Sequence, residues 1–382
     1  MDTFKIKEKF QQLYGPGGTL YASPGRINLI GEHTDYNGGF VLPGAIDKAM
    51  YCVIKPNGTD KVKAFALDLN ESSEFGLAEA DKPKAGWAKY IFGVVREMGK
   101  RGKNVPGFDI VISGDVPLGA GVSSSAALES AVGFALNDQF QLGFTLPEIA
   151  LVGQSTEHNY VGVKCGIMDQ FISCLGKEGS LLRLDCRSLE YEYVPFNPKG
   201  YQLVLLNTCV AHELASSAYN KRRESCERVV EAIAKRHPQV KLLRDAAPEM
   251  LQEVKNEVTA EDYMRAEFVI GEIQRLLDTC EALKKDDYET VGQKMYETHA
   301  GLSKLYEVSC PELDFLNDQA KKHGVTGSRV MGGGFGGCTI NLVKDEKGDN
   351  FVKSASEAYE KEFGIKPKVY DVAIKDGARK LG

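Results

Sequence analysis

The chain has 382 residues, beyond the size at which one hydrophobic core stops growing, so two domains are expected. Hydrophobic residues at 43% and charged residues at 26% are the balance of an ordinary globular protein. A net charge of −6 gives no electrostatic reason to bind nucleic acid or an anionic membrane, and neither is expected as a partner. The segment from Met1 to Phe10 mixes charges with apolar residues and lacks the apolar core of a secretory signal. No segment approaches the ~20 apolar residues of a membrane span. The nine cysteines are scattered without C-x-x-C spacing, which reads as reduced thiols in a cytoplasmic protein and argues against a structural zinc site.

In chain order, Phe4 to Tyr14 has the periodicity of an amphipathic helix ended by Gly15-Pro16-Gly17-Gly18. Short strand-like runs follow at Leu20–Ala22, Ala49–Lys55 and Lys61–Ala66, then a helix over Ala85–Lys100 with Trp87, Tyr90, Ile91, Val94, Val95 and Met98 on one face. A strand at Phe108–Ser113 enters a Gly/Ser loop, a helix follows to about Leu136, and Pro147 opens another towards Tyr160. Beyond a strand at Tyr201–Asn207 the pattern favours helix, over Ala215–Arg236, Ala260–Lys285, Tyr288–Leu302 and Pro311–His323. Strands at Ser328–Met331 and Cys338–Val343 flank a glycine cluster, with a helix at Phe351–Phe363 and a strand at Lys368–Ile374. Clustered strands and helices predict an α+β fold, divided near residue 195 into segments 1–195 and 196–382.

The strongest local signal is Gly119-Ala120-Gly121-Val122-Ser123-Ser124-Ser125, where a strand feeds a glycine turn and the turn feeds a helix. Gly119 and Gly121 can take positive φ and admit a phosphate to the backbone, and the helix start offers unpaired N–H groups. The three serines add hydroxyls, one of which can reach a magnesium ion. A serine N-cap alone would not need two glycines and a serine triplet. The loop is not a Walker A sequence, which occurs nowhere in the chain. Two other matches are spurious. Gly332-Gly-Gly334-Phe-Gly-Gly337 fits G-x-G-x-x-G but precedes a strand where a dinucleotide fold needs a helix. Val372-Ala-Ile-Lys375 imitates the lysine strand of protein kinases with none of their later motifs after it.

Three separated segments together resemble galactokinases, within the GHMP small-molecule kinase superfamily: Gly25 to Tyr36 (GRINLIGEHTDY), Pro117 to Ala127 (PLGAGVSSSAA) and Gly332 to Cys338 (GGGFGGC). Cys165 to Phe171 and Leu214 to Tyr219 also look like family segments. The resemblance implies a two-lobed GHMP kinase fold with the active site between lobes, using ATP and Mg2+ to phosphorylate the C1 hydroxyl of galactose, and a monomer is the expectation. It places Glu32, His33, Thr34, Asp35, Gly166, Asp169 and Tyr219 around the sugar, Arg26 and Asp169 at the reacting hydroxyl, Ser125 and Glu157 at magnesium, and Trp87 towards the adenine. Residues Gly119 to Ser125 would cradle the phosphates.

Read alone, several of these residues have blander roles: Asp169 as a helix N-cap, Glu157 as a solvated helix charge, His33 as a structural histidine, Tyr219 and Trp87 as packing aromatics. Arg222 and Arg223 read as a solvated face, with a lean of either towards phosphate as the alternative. Rival functions are a kinase for another sugar such as N-acetylgalactosamine, and a non-catalytic galactose and ATP sensor. The sequence His33-Thr-Asp-Tyr-Asn-Gly-Gly39 looks more like galactose enzymes, and the intact serine triplet with Arg26 and Asp169 disfavours the sensor.

Overall fold

The computed structural model describes residues 3–117, 119–211 and 215–382. The first half contains α1 (Thr3–Tyr14), β1 (Thr19–Asn28), β2 (Phe40–Val41), β3 (Pro43–Pro56), β4 (Lys61–Ala66), β5 (Glu71–Gly76), α2 (Ala88–Lys100) and β6 (Phe108–Gly114). Three helices follow, α3 (Ser124–Gln139), α4 (Leu146–Thr156) and α5 (Met168–Leu175), then β7 (Ser180–Asp185) and β8 (Tyr191–Pro195). The second half runs β9 (Tyr201–Ala211), α6 (Ala215–Ala234), α7 (Pro248–Glu253), α8 (Ala260–Leu283), α9 (Tyr288–Lys304) and α10 (Pro311–Lys322). It closes with β10 (Gly327–Val330), β11 (Gly336–Lys344), α11 (Gly348–Phe363), β12 (Lys368–Val372) and β13 (Arg379–Lys380).

Among the described residues the strands form a six-stranded sheet in the order β13-β1-β3-β6-β4-β5, a four-stranded sheet β10-β11-β9-β12 and a three-stranded sheet β2-β7-β8. The mixed helix and sheet arrangement agrees with the α+β expectation. The interval between Pro195 and Tyr201 separates the last strand of the small sheet from the first of the second half. The chain's last strand, β13, nevertheless returns to the edge of the first sheet beside β1.

α3 is buried on nearly every side, Ala126 to Gly133 without interruption, because it packs against β1 and β3 as well as α2, α4 and α5. α4 starts with a capping box between Thr145 and Glu148 with Pro147 in its first turn, as its sequence predicts. It does not continue to Tyr160 as an α-helix: residues Glu157–Val161 form a π-helical turn stopped by Gly162. α2 begins at Ala88 rather than Ala85, leaving Trp87 at its N-cap.

β1 is longer than its apolar core of Leu20–Ala22 suggests. It carries a register shift between Pro24 and Arg26, and beyond this bulge the pairing with β3 resumes to Asn28. Gly25 sits in the bulge where a Cβ would come within 2.7 Å of the Val122 carbonyl. The bulge thus brings the Gly/Ser loop against β1 and re-aims Arg26.

The two halves share one apolar cluster, in which Ile27, Leu29, Val116 and Val122 pack with Leu205, Leu276, Met331 and Ile340. A polar tie crosses the same boundary. Arg329 on β10 is fully buried and donates to the carbonyls of Leu29 (2.8 Å), Asn28 (2.5 Å) and Val330 (2.7 Å), and to Glu32 Oε1 (2.9 Å). Replacing Arg329 by Met removes all four bonds and strands the Glu32 carboxylate. Chemical denaturation of Arg329→Met should show a loss of about 3–5 kcal/mol, and adding Glu32→Gln should recover part of it. A loss under about 1 kcal/mol would reduce the pair to the value of a surface ion pair.

Candidate active site

The cleft is built where the β1 bulge, the Gly/Ser loop, the start of α5 and the glycine turn between β10 and β11 meet. Gly119, Gly121 and Ser123 all have positive φ (70°, 71° and 59°), and α3 starts at Ser124. This winds the loop into a concave run of backbone ahead of a helix N-terminus, the geometry that attracts phosphate. Ala120 and Val122 are buried in the shared core and can offer a ligand only their backbone. The loop is held from both sides: Arg26 N donates to the Val122 carbonyl at 3.0 Å, the Arg26 side chain reaches the Gly121 carbonyl, and Gly332 lies against Gly121. Leu118, within this loop, and Leu214, in the segment ending at Tyr219, lie outside the described residues.

A cavity of about 190 Å³ opens beside the loop, lined by Arg26, Glu32, His33, Asp35, Gly166, Asp169 and Tyr219, together with Val163, Cys165, Met168, Gly332 and Gly333. Asp169 is not an N-cap, a position held by Ile167; it lies in the first turn of α5. Its carboxylate takes a bidentate pair from Arg26, Nε to Oδ1 at 2.9 Å and Nη2 to Oδ2 at 3.1 Å, and a further hydrogen bond from the Ser123 hydroxyl. Ser123 is therefore engaged with Asp169 rather than free to face a phosphate.

Glu32 is buried and accepts from Arg329 and from Gly332 N at 2.8 Å. Burial pushes its pKa up, but the charges of Arg329 and Arg26 outweigh that and hold it below the usual carboxylate range. Among the described residues no cation pairs with Asp35. Burial, with Asp169 and Glu32 nearby, pushes its carboxyl up to about 6. Gly166 is the residue that lets Asp35 into the wall, since a Cβ there would lie 1.6 Å from Asp35 Oδ2. Burial drives the His33 imidazole down to about 4, so the ring is neutral near pH 7. The Tyr219 and His33 rings pack at 5.3 Å between centroids. Thr34 departs from expectation: its side chain is buried and its hydroxyl lies between the carbonyls of Gly31 (2.9 Å) and Phe40 (2.5 Å), which share its one hydrogen, so it shapes the loop instead of lining the cavity.

On the other side of the loop a second cavity of about 380 Å³ is lined by Ser124, Ser125, Trp87, Tyr90, Asp68 and Leu69 among others. Trp87 is half-buried against the core cluster that holds the α2 stripe, and its indole N–H donates to Glu71 at 3.0 Å. Glu157 is buried on the π-helical turn; burial raises its pKa, with Asp169 adding to the shift and the nearby Ser125 hydroxyl opposing it. A buried carboxylate and a hydroxyl at a phosphate loop form a fitting oxygen donor pair for a hard cation that keeps several waters.

Sequence reasoning missed three features. Arg329 is one; a lone arginine inside Gly327-Ser-Arg-Val-Met331 had to be paired if the strand was buried, and that was the available signal. Gly332 and Gly333 of the C-terminal cluster line the cavity, although the cluster read only as a family mark. Arg222 is not solvated: it is buried and donates to the Tyr306 carbonyl at 2.7 Å and to the Glu307 carbonyl, whereas Arg223 is exposed and pairs with Glu227.

The chain matches the profiles of the GHMP kinases N terminal domain over residues 89–177 and the GHMP kinases C terminal region over residues 280–361. The mevalonate kinase of Methanococcus jannaschii shares the fold, with a TM-score of 0.67 at 21% identity over 94% of this chain and 99% of that one. A phosphate loop beside a cavity between two halves is thus the cleft of a GHMP kinase.

Residues 8–56 match the galactokinase galactose-binding signature. The galactokinase of Roseiflexus sp. is 39% identical over 100% of this chain and 98% of its own length, and that of Thermotoga petrophila 40% identical over 94% and 99%. A crystal structure of Lactococcus lactis galactokinase complexed with galactose superposes with a TM-score of 0.95 at 33% identity, covering 100% of both chains. The chain belongs to the galactokinase family.

The raised pKa of Asp35 carries a sign. If the ionised form accepts hydrogen bonds from a sugar, binding weakens as pH falls through about 6. Calorimetry with galactose alone should show affinity about tenfold lower at pH 5 than at pH 7, with a proton released on binding near pH 6. Asp35→Asn should flatten the profile; equal affinity at both pH values in the unmodified protein would exclude the assignment.

Proposed function

We propose that this cleft transfers the γ-phosphoryl group of ATP to the C1 hydroxyl of α-D-galactose, giving galactose 1-phosphate and ADP. The bidentate Arg26–Asp169 pair at the seam of the sugar cavity and the phosphate loop is the observation that carries this reading. Asp169 orients the C1 hydroxyl and accepts its proton as the oxygen attacks the γ-phosphorus in line. Arg26 keeps that carboxylate ionised and lies close enough to the loop to stabilise charge on the transferring group. Glu32, His33, Asp35 and Tyr219 line the sugar cavity, and Gly166 gives Asp35 its position. Residues Gly119 to Ser125 offer backbone to the phosphates, with Trp87 and Tyr90 beside the base. Ser125 and Glu157 would hold Mg2+, which when bound neutralises phosphate charge. Nine free cysteines, most of them buried, support a reducing cytoplasmic setting, and a monomer suffices because every group named belongs to one chain.

An ADP-release assay over a sugar panel tests the whole reading. Galactose should exceed glucose by ~10²–10⁴ in kcat/KM, since glucose misplaces one hydroxyl in a site with buried acceptors. N-acetylgalactosamine as the better substrate would replace the acceptor, and no turnover with any sugar would favour a sensor. Asp169→Asn keeps shape and removes charge, and should lower kcat by ~10²–10⁴-fold with MgATP binding retained. Near-normal kcat would remove Asp169 from the chemistry. Glu157→Ala should move the free-magnesium dependence to higher concentration at little changed galactose affinity; an unmoved curve would take Glu157 out of the metal site.

A further inference from the structure

Behind His33 runs a file of polar side chains that the phosphoryl transfer does not use. His33 Nδ1 lies 2.8 Å from the Tyr36 hydroxyl, that hydroxyl 2.7 Å from the Tyr306 hydroxyl, and the latter 3.4 Å from Cys226 Sγ. Asn37 closes the file, its Nδ2 donating to the His33 carbonyl at 2.9 Å and to Cys226 Sγ at 3.6 Å. His33, Asn37, Cys226 and Tyr306 are buried, so their hydrogens are ordered by one another.

Each hydroxyl and the thiol has one hydrogen to give, and so does the neutral imidazole. At one end the direction is set by Asn37, which is anchored as a donor by a backbone carbonyl. The sulfur accepts there and has its own hydrogen left for Tyr306. At the other end Nε2 makes no well-formed hydrogen bond. The Gly333 backbone, short of that geometry, still favours a proton on the ring, the behaviour of a carbonyl acceptor. The reverse order would turn a bare nitrogen lone pair towards that group and leave the sulfur receiving two hydrogens while giving none.

We propose that Cys226, Tyr306 and Tyr36 form a one-way hydrogen-bond chain that holds His33 as its Nε2–H tautomer, with Nε2 turned towards Gly333 in the wall of the sugar cavity. The three are positioning residues for sugar affinity, and this role rests on the sugar-cavity reading above. The chain links the signature loop to α6 and to the end of α9, so the sugar wall takes its polarity from the second half of the molecule.

The tautomer is read directly from long-range proton–nitrogen spectra of 15N-labelled protein at neutral pH without sugar, with His33 identified by its loss in His33→Gln. Nδ1 should resonate as an unprotonated nitrogen and Nε2 as a protonated one; a protonated Nδ1 overturns the proposal. In steady-state kinetics Tyr306→Phe and Cys226→Ala should raise the galactose KM about tenfold, the usual size of an outer-shell effect, with the ATP KM unchanged. Cys226→Ser keeps a donor and an acceptor and should restore the galactose KM. An unchanged galactose KM in Tyr306→Phe, or parallel rises for galactose and ATP, also overturns it. Failure to phosphorylate galactose would reject the substrate while the spectrum of the sugar-free protein still decides the tautomer.

Discussion

Arg329 is a permanent cation with no exposed surface, so protein groups alone must satisfy its charge. They come from the end of β1 and from Glu32, about three hundred residues earlier in the chain, and they set the second half against the first. Once that contact is made, Gly332 N donates directly to Glu32 in the cavity wall and the glycine turn lies on the Gly/Ser loop. The shared apolar cluster supplies most of the adhesion between halves, but apolar packing has little direction. The guanidinium fork supplies the register, because only one placement satisfies its donors.

The same economy of placement appears in the backbone. Arg26 could not meet both Asp169 and the Gly121 carbonyl from a regular strand, and the bulge at Pro24 to Arg26 turns it there. Glu157 is brought to Ser125 by a π-helical turn at the end of α4, another local departure that an uninterrupted helix would not provide. Such irregularities cost local hydrogen bonding and persist where the surrounding packing holds them.

Most regular elements were legible because their periodicity is strong: the α1, α8, α9 and α10 spans agree with expectation to within a few residues, as do the strands at Lys61–Ala66 and Phe108–Gly114. The short elements were not. α5 has eight residues, too few for a helical stripe to stand out, and β8 has only Val194 buried among exposed neighbours. The site was legible as three motifs, yet not as a set of roles. Thr34 and Tyr36 lie within the signature yet serve as its supports, together with Arg329 and Tyr306, which lie outside all three motifs. Long-range pairing decides those roles, and a single sequence does not display it.

The charge balance of the cleft follows from these pairings. Arg329 is spent on Glu32 and Arg26 on Asp169, so neither cation is free in full for an incoming triphosphate. Asp35 and Glu157 are left with hydroxyl, backbone or no cationic partners, and both are pushed towards the neutral form by burial and by neighbouring carboxylates. Glu129, buried one layer deeper on α3, is raised well above its ordinary value by burial and by Glu157. In their ionised forms these carboxyls would repel ATP; the shift towards the neutral form lessens that repulsion, and what remains calls for compensation. The loop's N–H groups and the α3 terminus supply part of it, as oriented dipoles that cost no desolvation of a side chain. On the proposed reading, the remainder would fall to a divalent cation held by Ser125 and Glu157. On that reading the acids that line the sugar cavity and those beside the phosphate loop act on one another, and the two halves of the reaction share one electrostatic constraint.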